Sequence, residues 1–345
     1  MSRQLNNYRI IAIEEHFSTE EHIDYLRSIV EKKYSKKEVI QEESNLASEA
    51  PFLSSWFRDA EATTKRLIDT GAGRLQEMDE SGIDMQVLSL ISPGVQVFDA
   101  PTATAMAKRA NDRLRDIVKE HPDKFAGLAA IAPQNPTEAA DELERAVKHL
   151  GLKGACINSH TKGEYLDDNK YWVIFERAEK LGIPIYIHPR GPSPDMIKPF
   201  LTYPVLASTY GFGIDTGLHA LRLICSGVFD VYPKLQIILG HFGEALPFWL
   251  WRINESLPRS PIGQKLNKTP IEYLQQNFFL TTSGMFWQPA LMCTYLALGA
   301  DKILFAVDHP FQSNKRAVQF MDSAPICDDD KEKIYHLNSE KLFSL

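Results

Sequence analysis

The chain has 345 residues, of which 44% are hydrophobic and 24% charged, the composition of an ordinary globular protein with room for a large core. A formal net charge of -7 and an isoelectric point near 5.8 leave no basic stripe of the kind nucleic-acid binders carry. No run approaches 18 uninterrupted apolar residues, so no spanning helix and no membrane partner are expected. Cys156, Cys225, Cys293 and Cys327 form no C-x-x-C pair, which argues against a zinc finger or a redox motif. Three of them lie in apolar surroundings and read as packing residues. With a polar N-terminus that does not read as a secretory leader, they predict a reducing, cytoplasmic setting.

Strand-like and helix-like segments alternate from end to end. Short apolar runs predict strands over Arg9–Glu14, Met85–Leu90, Phe125–Ala130, Gly154–Ile157, Pro184–His188, Gln236–Leu239, Asn277–Thr282 and Ile303–Val307. Amphipathic stretches between them include Thr102–Glu120, Thr137–Leu150, Tyr171–Leu181 and Asp215–Cys225. Gly82, Gly154 and Leu181-Gly182-Ile183-Pro184 mark helix stops before strand starts. Such alternation implies a parallel sheet, and eight strands imply closure into a (β/α)8 TIM barrel. No composition break divides the chain, so one α/β domain over 1–345 is expected. Two insertions depart from the pattern. Ser18–Ser55, after the first strand, is charged and reads as helical. Arg190–Ile214, after the fifth, carries Pro192, Pro194, Pro199 and Pro204 and reads as a loop. Lids and specificity loops belong at such places.

Four predicted strands end in a residue of metal-ligand type: Glu14, His188, His241 and Asp308. A barrel gathers the C-terminal ends of its strands on one rim, so residues as distant as 14 and 308 can surround one ion. Two carboxylates and two imidazoles suit a catalytic cation better than a structural one. His16 lies two residues after Glu14, and period-two geometry turns both toward the axis and Glu15 away. Glu244 follows His241 by three residues and can accept a hydrogen bond from its imidazole. Asp308, leaving a buried strand, needs a partner or an ion. His309 is expected to face away from it. Arg252, and more weakly Arg58, are candidates for holding Glu244 or an anionic substrate, since a guanidinium suits a carboxylate. Of the other histidines, His22, His121, His149 and His336 read as solvated, His160 as a rim residue and His219 as packed. Trp56, Trp249, Trp251 and Trp287 are candidates for a pocket wall.

Several segments together resemble the metal-dependent aromatic acid decarboxylases of the amidohydrolase superfamily. They are Glu14-Glu15-His16-Phe17, Met78-Asp79-Glu80-Ser81-Gly82-Ile83-Asp84, Ser92-Pro93-Gly94-Val95-Gln96, Ile157-Asn158-Ser159-His160-Thr161, Ile185-Tyr186-Ile187-His188-Pro189, Gly240-His241-Phe242-Gly243-Glu244 followed by Pro247-Phe248-Trp249-Leu250-Trp251-Arg252, and Asp308-His309-Pro310-Phe311. The resemblance implies an amidohydrolase-like barrel and one divalent ion, Mn2+ before Zn2+ or Mg2+, with no organic cofactor. It implies loss of CO2 from a small hydroxylated aromatic acid, of hydroxybenzoate or carboxyvanillate type. By resemblance Glu14, His188 and Asp308 are ligands and His16 a fourth candidate. His241, Glu244 and Asp308 are then catalytic candidates, and Arg252, Arg58, His241 and Phe311 are candidates for substrate contact. A homodimer or homotetramer is also implied. Two departures, the imidazoles at positions 16 and 309, leave the ring substituents open. The rival reading is a hydrolase in which the same ion activates water against a lactone or amide. A first strand that presents Glu14 rather than the first half of a His-x-His pair speaks mildly against it.

Overall fold

The computed structural model describes residues 8–34 and 60–345. The strands are β1 (Ile11–Phe17), β2 (Met85–Leu90), β3 (Phe125–Gly127), β4 (Ala129–Ala130), β5 (Ala155–Asn158), β6 (Ile185–His188), β7 (Ile237–Leu239), β8 (Phe278–Thr281) and β9 (Ile303–Leu304). Every ladder is parallel, in the order β1-β2-β3 and then β4 through β9. The strand expected over Phe125–Ala130 is two short ladders. Leu128 N–H turns to Leu88 O at 2.8 Å, and Lys153 N–H reaches Gly127 O at 2.8 Å, so the segment exchanges one neighbour for the other at Leu128. The ring closes where Ile13 N–H donates to Phe305 O at 3.1 Å and Asp308 N–H to Glu14 O at 2.9 Å. β3 and β4 occupy one place in this ring, which makes the eight-place (β/α)8 barrel that the alternation implies.

Side-chain alternation builds two cores. Ile11, Ile13, Val87, Cys156, Tyr186, Ile238 and Leu304 fill the barrel interior. Their strand neighbours, such as Ala12, Ile157, Ile187, Leu239 and Phe305, pack outward in the larger cluster shared with the helices. Strands covered on both faces read as continuous apolar runs for this reason.

Local chemistry moves several boundaries. The helix Ala100–Glu120 starts two residues before the predicted Thr102, because the Asp99 carboxylate accepts from Thr102 N at 3.0 Å and caps it. β9 ends at Leu304 rather than Val307 because side chains replace the ladder. Thr282 Oγ1 bonds both Ala306 N and Ala306 O at 2.9 Å, and Glu15 Oε1 accepts from Val307 N at 2.9 Å. Of the first insertion, Glu20–Tyr34 is helical and residues 35–55 lie outside the described residues. The second is less open than its prolines suggest. It carries a 3-10 turn at Lys198–Phe200 and a π turn at Ala207–Gly211, and the following helix, Phe212–Ser226, begins three residues before Asp215.

Candidate metal centre and active site

The site lies one layer above the barrel interior. His188 follows the inward Tyr186 by two residues, and Asp308 follows the inward Ala306 by two. Strict alternation in β1 would send Glu14 outward after the inward Ile13. The β1–β2 register prevents this: Ala12 pairs with Gln86 but Glu15 pairs with Leu88, so β1 spends three residues where β2 spends two. This bulge reverses the phase and brings Glu14 and His16 inward. Glu15 points away, where Oε1 accepts from Val307 N and Oε2 from Gln86 Nε2 at 3.3 Å. Burial pushes its carboxyl up to about 8, against the Val307 hydrogen bond and the Arg74 charge. Arg74, itself buried, donates to His16 O at 2.6 Å and so pins the end of β1 from behind.

Glu14, His16, His188 and Asp308 each direct one donor atom to a common point, and these atoms all lie within 4.8 Å of one another. His16 Nε2 is 3.2 Å from Asp308 Oδ1, and His188 Nε2 is 3.3 Å from Glu14 Oε1. The imidazoles of His16 and His188 meet edge to face at 4.7 Å. Glu14 Oε1 and His16 Nε2 are buried without a hydrogen-bond partner, which is costly unless something positive draws on both. The donor set fits a divalent cation: two carboxylates and two imidazoles, with Asp308 open to the cavity. Burial opposes charge on Glu14, yet the imidazoles of His241, His188 and His16 hold its carboxyl well below the usual range. Asp308 is likewise held low against burial, by the neighbouring imidazoles of His16 and His241. Burial lowers His16, although Asp308 opposes the shift.

His241 enters on a different kind of element. After β7 the chain makes one left-handed turn, with φ of 50° at His241, 55° at Phe242, 75° at Gly243, 54° at Glu244 and 62° at Ala245. Each non-glycine residue there costs about 1–2 kcal/mol. The turn is held by Gly243 N–H on Gly240 O at 2.6 Å, by His241 N–H on Ser283 Oγ at 3.1 Å and by the buried Phe242. Glycine suits 243, where φ is 75° and a Cβ would stand 2.7 Å from Leu280 Cδ1 and push that side chain aside. The result aims His241 Nε2 at Glu14 Oε1 (3.9 Å) and Asp308 Oδ2 (4.0 Å), while Nδ1 meets Glu244 Oε1 at 2.9 Å. Burial disfavours charge on His241, but Glu244, Glu14 and Asp308 together raise its basicity well above the ordinary value. Strain of this kind gathers where a side chain must be aimed.

A cavity of about 800 Å³ opens above the cluster, lined by His16, His188, His241, Glu244 and Asp308 at its floor and by Phe212, Ile214, Leu218, Leu246, Trp249 and Phe311 on its walls. The Phe311 ring stands 6.1 Å from that of His16. Arg58 and Trp56 lie outside the described residues. Arg252 is not brought to the cluster. The helix Leu246–Ser256 buries Leu246, Pro247 and Leu250, which turns Phe248, Trp251 and Arg252 to solvent. Trp251 and Trp287 are exposed outside the cavity. His160 is buried beneath the rim, with Nε2 on Gly191 O at 2.9 Å, and His219 is packed as expected. His22 is buried rather than solvated, because Ser18 Oγ and Gly94 O enclose its ring. His309 turns from the cavity toward Glu77. Three residues that the sequence did not single out belong beside the cluster. Tyr186 OH and Thr281 Oγ1 (3.0 Å) both donate to Glu14 Oε2, and Ser283 Oγ lies 2.8 Å from Thr281 Oγ1. A polar side chain two residues before His188, on the same face, was the available signal for Tyr186.

A parallel eight-place barrel with carboxylate and imidazole donors on its C-terminal rim defines a class, and the amidohydrolase family matches residues 51–345; the chain belongs to that family. Within it, the chain is 38% identical over 349 residues to a γ-resorcylate decarboxylase of Polaromonas sp., covering 97% of this chain and 98% of that one. In structure it is similar to 5-carboxyvanillate decarboxylase from Sphingomonas paucimobilis, with a TM-score of 0.91, 38% identity, and coverage of 98% of this chain and 100% of the other. It is also similar to the 5-carboxyvanillate decarboxylase of Novosphingobium aromaticivorans complexed with manganese and 4-hydroxy-3-methoxy-5-nitrobenzoic acid. That pair has a TM-score of 0.89 and 40% identity, with coverage of 98% and 97%.

Proposed function

We propose that this chain is a divalent-metal-dependent carboxy-lyase that removes CO2 from a hydroxylated aromatic carboxylic acid without redox chemistry. The observation that carries the reading is the convergence of Glu14, His16, His188 and Asp308 at the floor of a largely apolar cavity, in a chain akin to named aromatic acid decarboxylases. Oxygen and imidazole donors suit Mn2+, Zn2+ and Mg2+ alike. Mn2+ is proposed because a relative with 40% identity holds manganese, and no organic cofactor enters the reading. A divalent ion bound there supplies positive charge that favours the ionised carboxylate and an adjacent phenolate.

The chain's own residues do the rest. Asp308 delivers a proton to the ring carbon that bears the carboxylate. The bond from that carbon to the carboxylate then breaks, its electron pair restores the aromatic ring, and CO2 departs. His241, made basic by Glu244, is the neighbouring group that returns a proton to Asp308; its Nε2 stands 4.0 Å from Oδ2, so the proton passes through one bridging water. Phe311, Phe212 and Leu246 flank the ring and exclude water. The reading includes one barrel domain over 1–345. It includes a cytoplasmic setting, which four free cysteines suit. It also includes a homodimer or homotetramer, supported by exposed Tyr203, Val205, Phe248, Trp251 and Trp287. The test is to incubate Mn2+-loaded protein with hydroxybenzoates and carboxyvanillate, following the ultraviolet spectrum and CO2. Release of CO2 with one of them is expected. Hydrolysis of a lactone or amide panel with no CO2 from any acid would overturn the proposal.

A further inference from the structure

Glu14 presents its two oxygens to different surroundings. Oε2 is the acceptor for two hydroxyls, from Tyr186 on β6 and Thr281 on β8. Oε1 has no hydrogen-bond partner and faces His188 Nε2 and His241 Nε2. The Thr281 hydroxyl gives its proton to Glu14, so its 2.8 Å contact with Ser283 must be donated by Ser283. Ser283 Oγ in turn accepts the His241 N–H at 3.1 Å. The donors therefore all run one way: His241 N–H to Ser283, Ser283 to Thr281, Thr281 to Glu14 Oε2. Tyr186, Thr281 and Ser283 are buried, so water does not compete for these bonds. Space for the arrangement is left at Gly240, where a Cβ would come within 3.1 Å of both Glu14 Oε2 and Tyr186 OH.

We propose that Tyr186 and Thr281 are positioning residues that lock Glu14 as a one-oxygen ligand, and that the Thr281–Ser283 relay ties that carboxylate to the backbone of the His241 turn. The inference rests on the reading of the four-residue cluster as a cation site. A carboxylate whose second oxygen is saturated by two fixed hydroxyls cannot swing to grip an ion with both oxygens. Coordination places are thereby kept for substrate oxygens. Outer hydrogen-bond partners of this kind are worth about 10–100-fold in metal affinity. Because the relay also reaches His241, the metal ligand and the base turn are held in one register.

The experiment measures Mn2+ affinity calorimetrically, and the visible absorption spectrum of the Co2+-substituted protein, for wild type, Tyr186→Phe, Thr281→Val and Thr281→Ser. Tyr186→Phe and Thr281→Val are expected to weaken Mn2+ by about 10–100-fold and to shift the Co2+ bands as the ligand count changes. Thr281→Ser, which keeps the hydroxyl, is expected to retain wild-type affinity and spectrum. If Thr281→Val fails to fold by circular dichroism, Tyr186→Phe, which removes a single oxygen, carries the test. Wild-type affinity and spectrum in Tyr186→Phe and in any folded Thr281→Val would overturn the inference while leaving the cation site standing. A wild-type protein that binds neither ion would overturn both.

Discussion

Removal of the ion should be visible without any substrate. The fold holds the carboxylates of Glu14 and Asp308 and the imidazoles of His16 and His188 with donor atoms within 4.8 Å, and the buried Glu14 Oε1 and His16 Nε2 have no hydrogen-bond partner. An ion that binds only this folded arrangement stabilises it by about 2.7 kcal/mol at a free concentration of 100 times its Kd. For 345 residues, an unfolding entropy of about 2.1 cal/mol/K per residue comes to about 0.7 kcal/mol/K. The expected rise in Tm is therefore about 4 °C. The assay is scanning calorimetry of chelator-stripped protein with and without Mn2+ at that multiple of a separately measured Kd. Glu14→Ala serves as the control in which the rise should vanish. An unchanged Tm in saturating Mn2+, or an equal rise in Glu14→Ala, would refute the placement of the ion.

Asp308→Asn should bind substrate yet lose about 10²–10⁴-fold in kcat, the usual contribution of a positioned acid; stopped-assay CO2 release on metal-loaded protein checks it, and near wild-type turnover would remove Asp308 as the proton donor. Glu244→Gln keeps an acceptor for His241 Nδ1 but removes the charge. A hydrogen bond to a charged group is worth about 1.5–3 kcal/mol, so kcat should fall about 10–100-fold with little change in Tm. Buried His219 accepts Leu166 N–H at 3.0 Å through Nε2, a role that its protonation abolishes. Burial, with the Arg222 charge, lowers its pKa to about 3. The unfolded chain then takes up this proton first, so stability is lost as pH falls from 6.5 toward 3, by about 1.4 kcal/mol per pH unit. Urea unfolding of metal-free His219→Gln should show a slope shallower by that amount, and an unchanged slope would exclude His219 as a source of acid lability.

The rim was legible because its residues interrupt apolar strands with groups that burial punishes. Glu14, His188 and Asp308 stand out in this way, and so does His241, although it reaches the site on a turn. What could not be read from the sequence depends on register and backbone sign. The bulge that sends Glu14 inward exists only in the pairing of β1 with β2, and five successive residues, four of them not glycine, adopt positive φ from His241 to Ala245. Nothing in His-Phe-Gly-Glu-Ala marks such a turn beyond its one glycine. His22 was misread because the group that buries it, Gly94 O, is 72 residues away. Arg252 lies away from the cluster within one chain. The apolar stripe of Leu246, Leu250 and Ile253 was present in the sequence, and it places the guanidinium on the outer face.

Two kinds of element therefore share the labour of the site. Donor atoms for the cation sit on β1, at the last residue of β6 and, for Asp308, just beyond β9 where its N–H bonds Glu14 O, and are held from behind by Arg74 on His16 O and from below by Tyr186 and Thr281 on Glu14. The cavity wall comes from other material: Ser208, Thr209 and Tyr210 from the π turn of the second insertion, Phe212, Ile214 and Leu218 from the helix that follows, and Phe311 beyond β9. Loops accept substitution far more readily than buried strands. Changes confined to Ser208, Thr209, Tyr210 or Phe311 should accordingly alter which ring substituents are accepted while leaving Mn2+ affinity intact, whereas changes at Tyr186 or Thr281 should do the reverse. The chemistry is set on and beside the buried strands, and the choice of substrate on the turn, helix and loop above them.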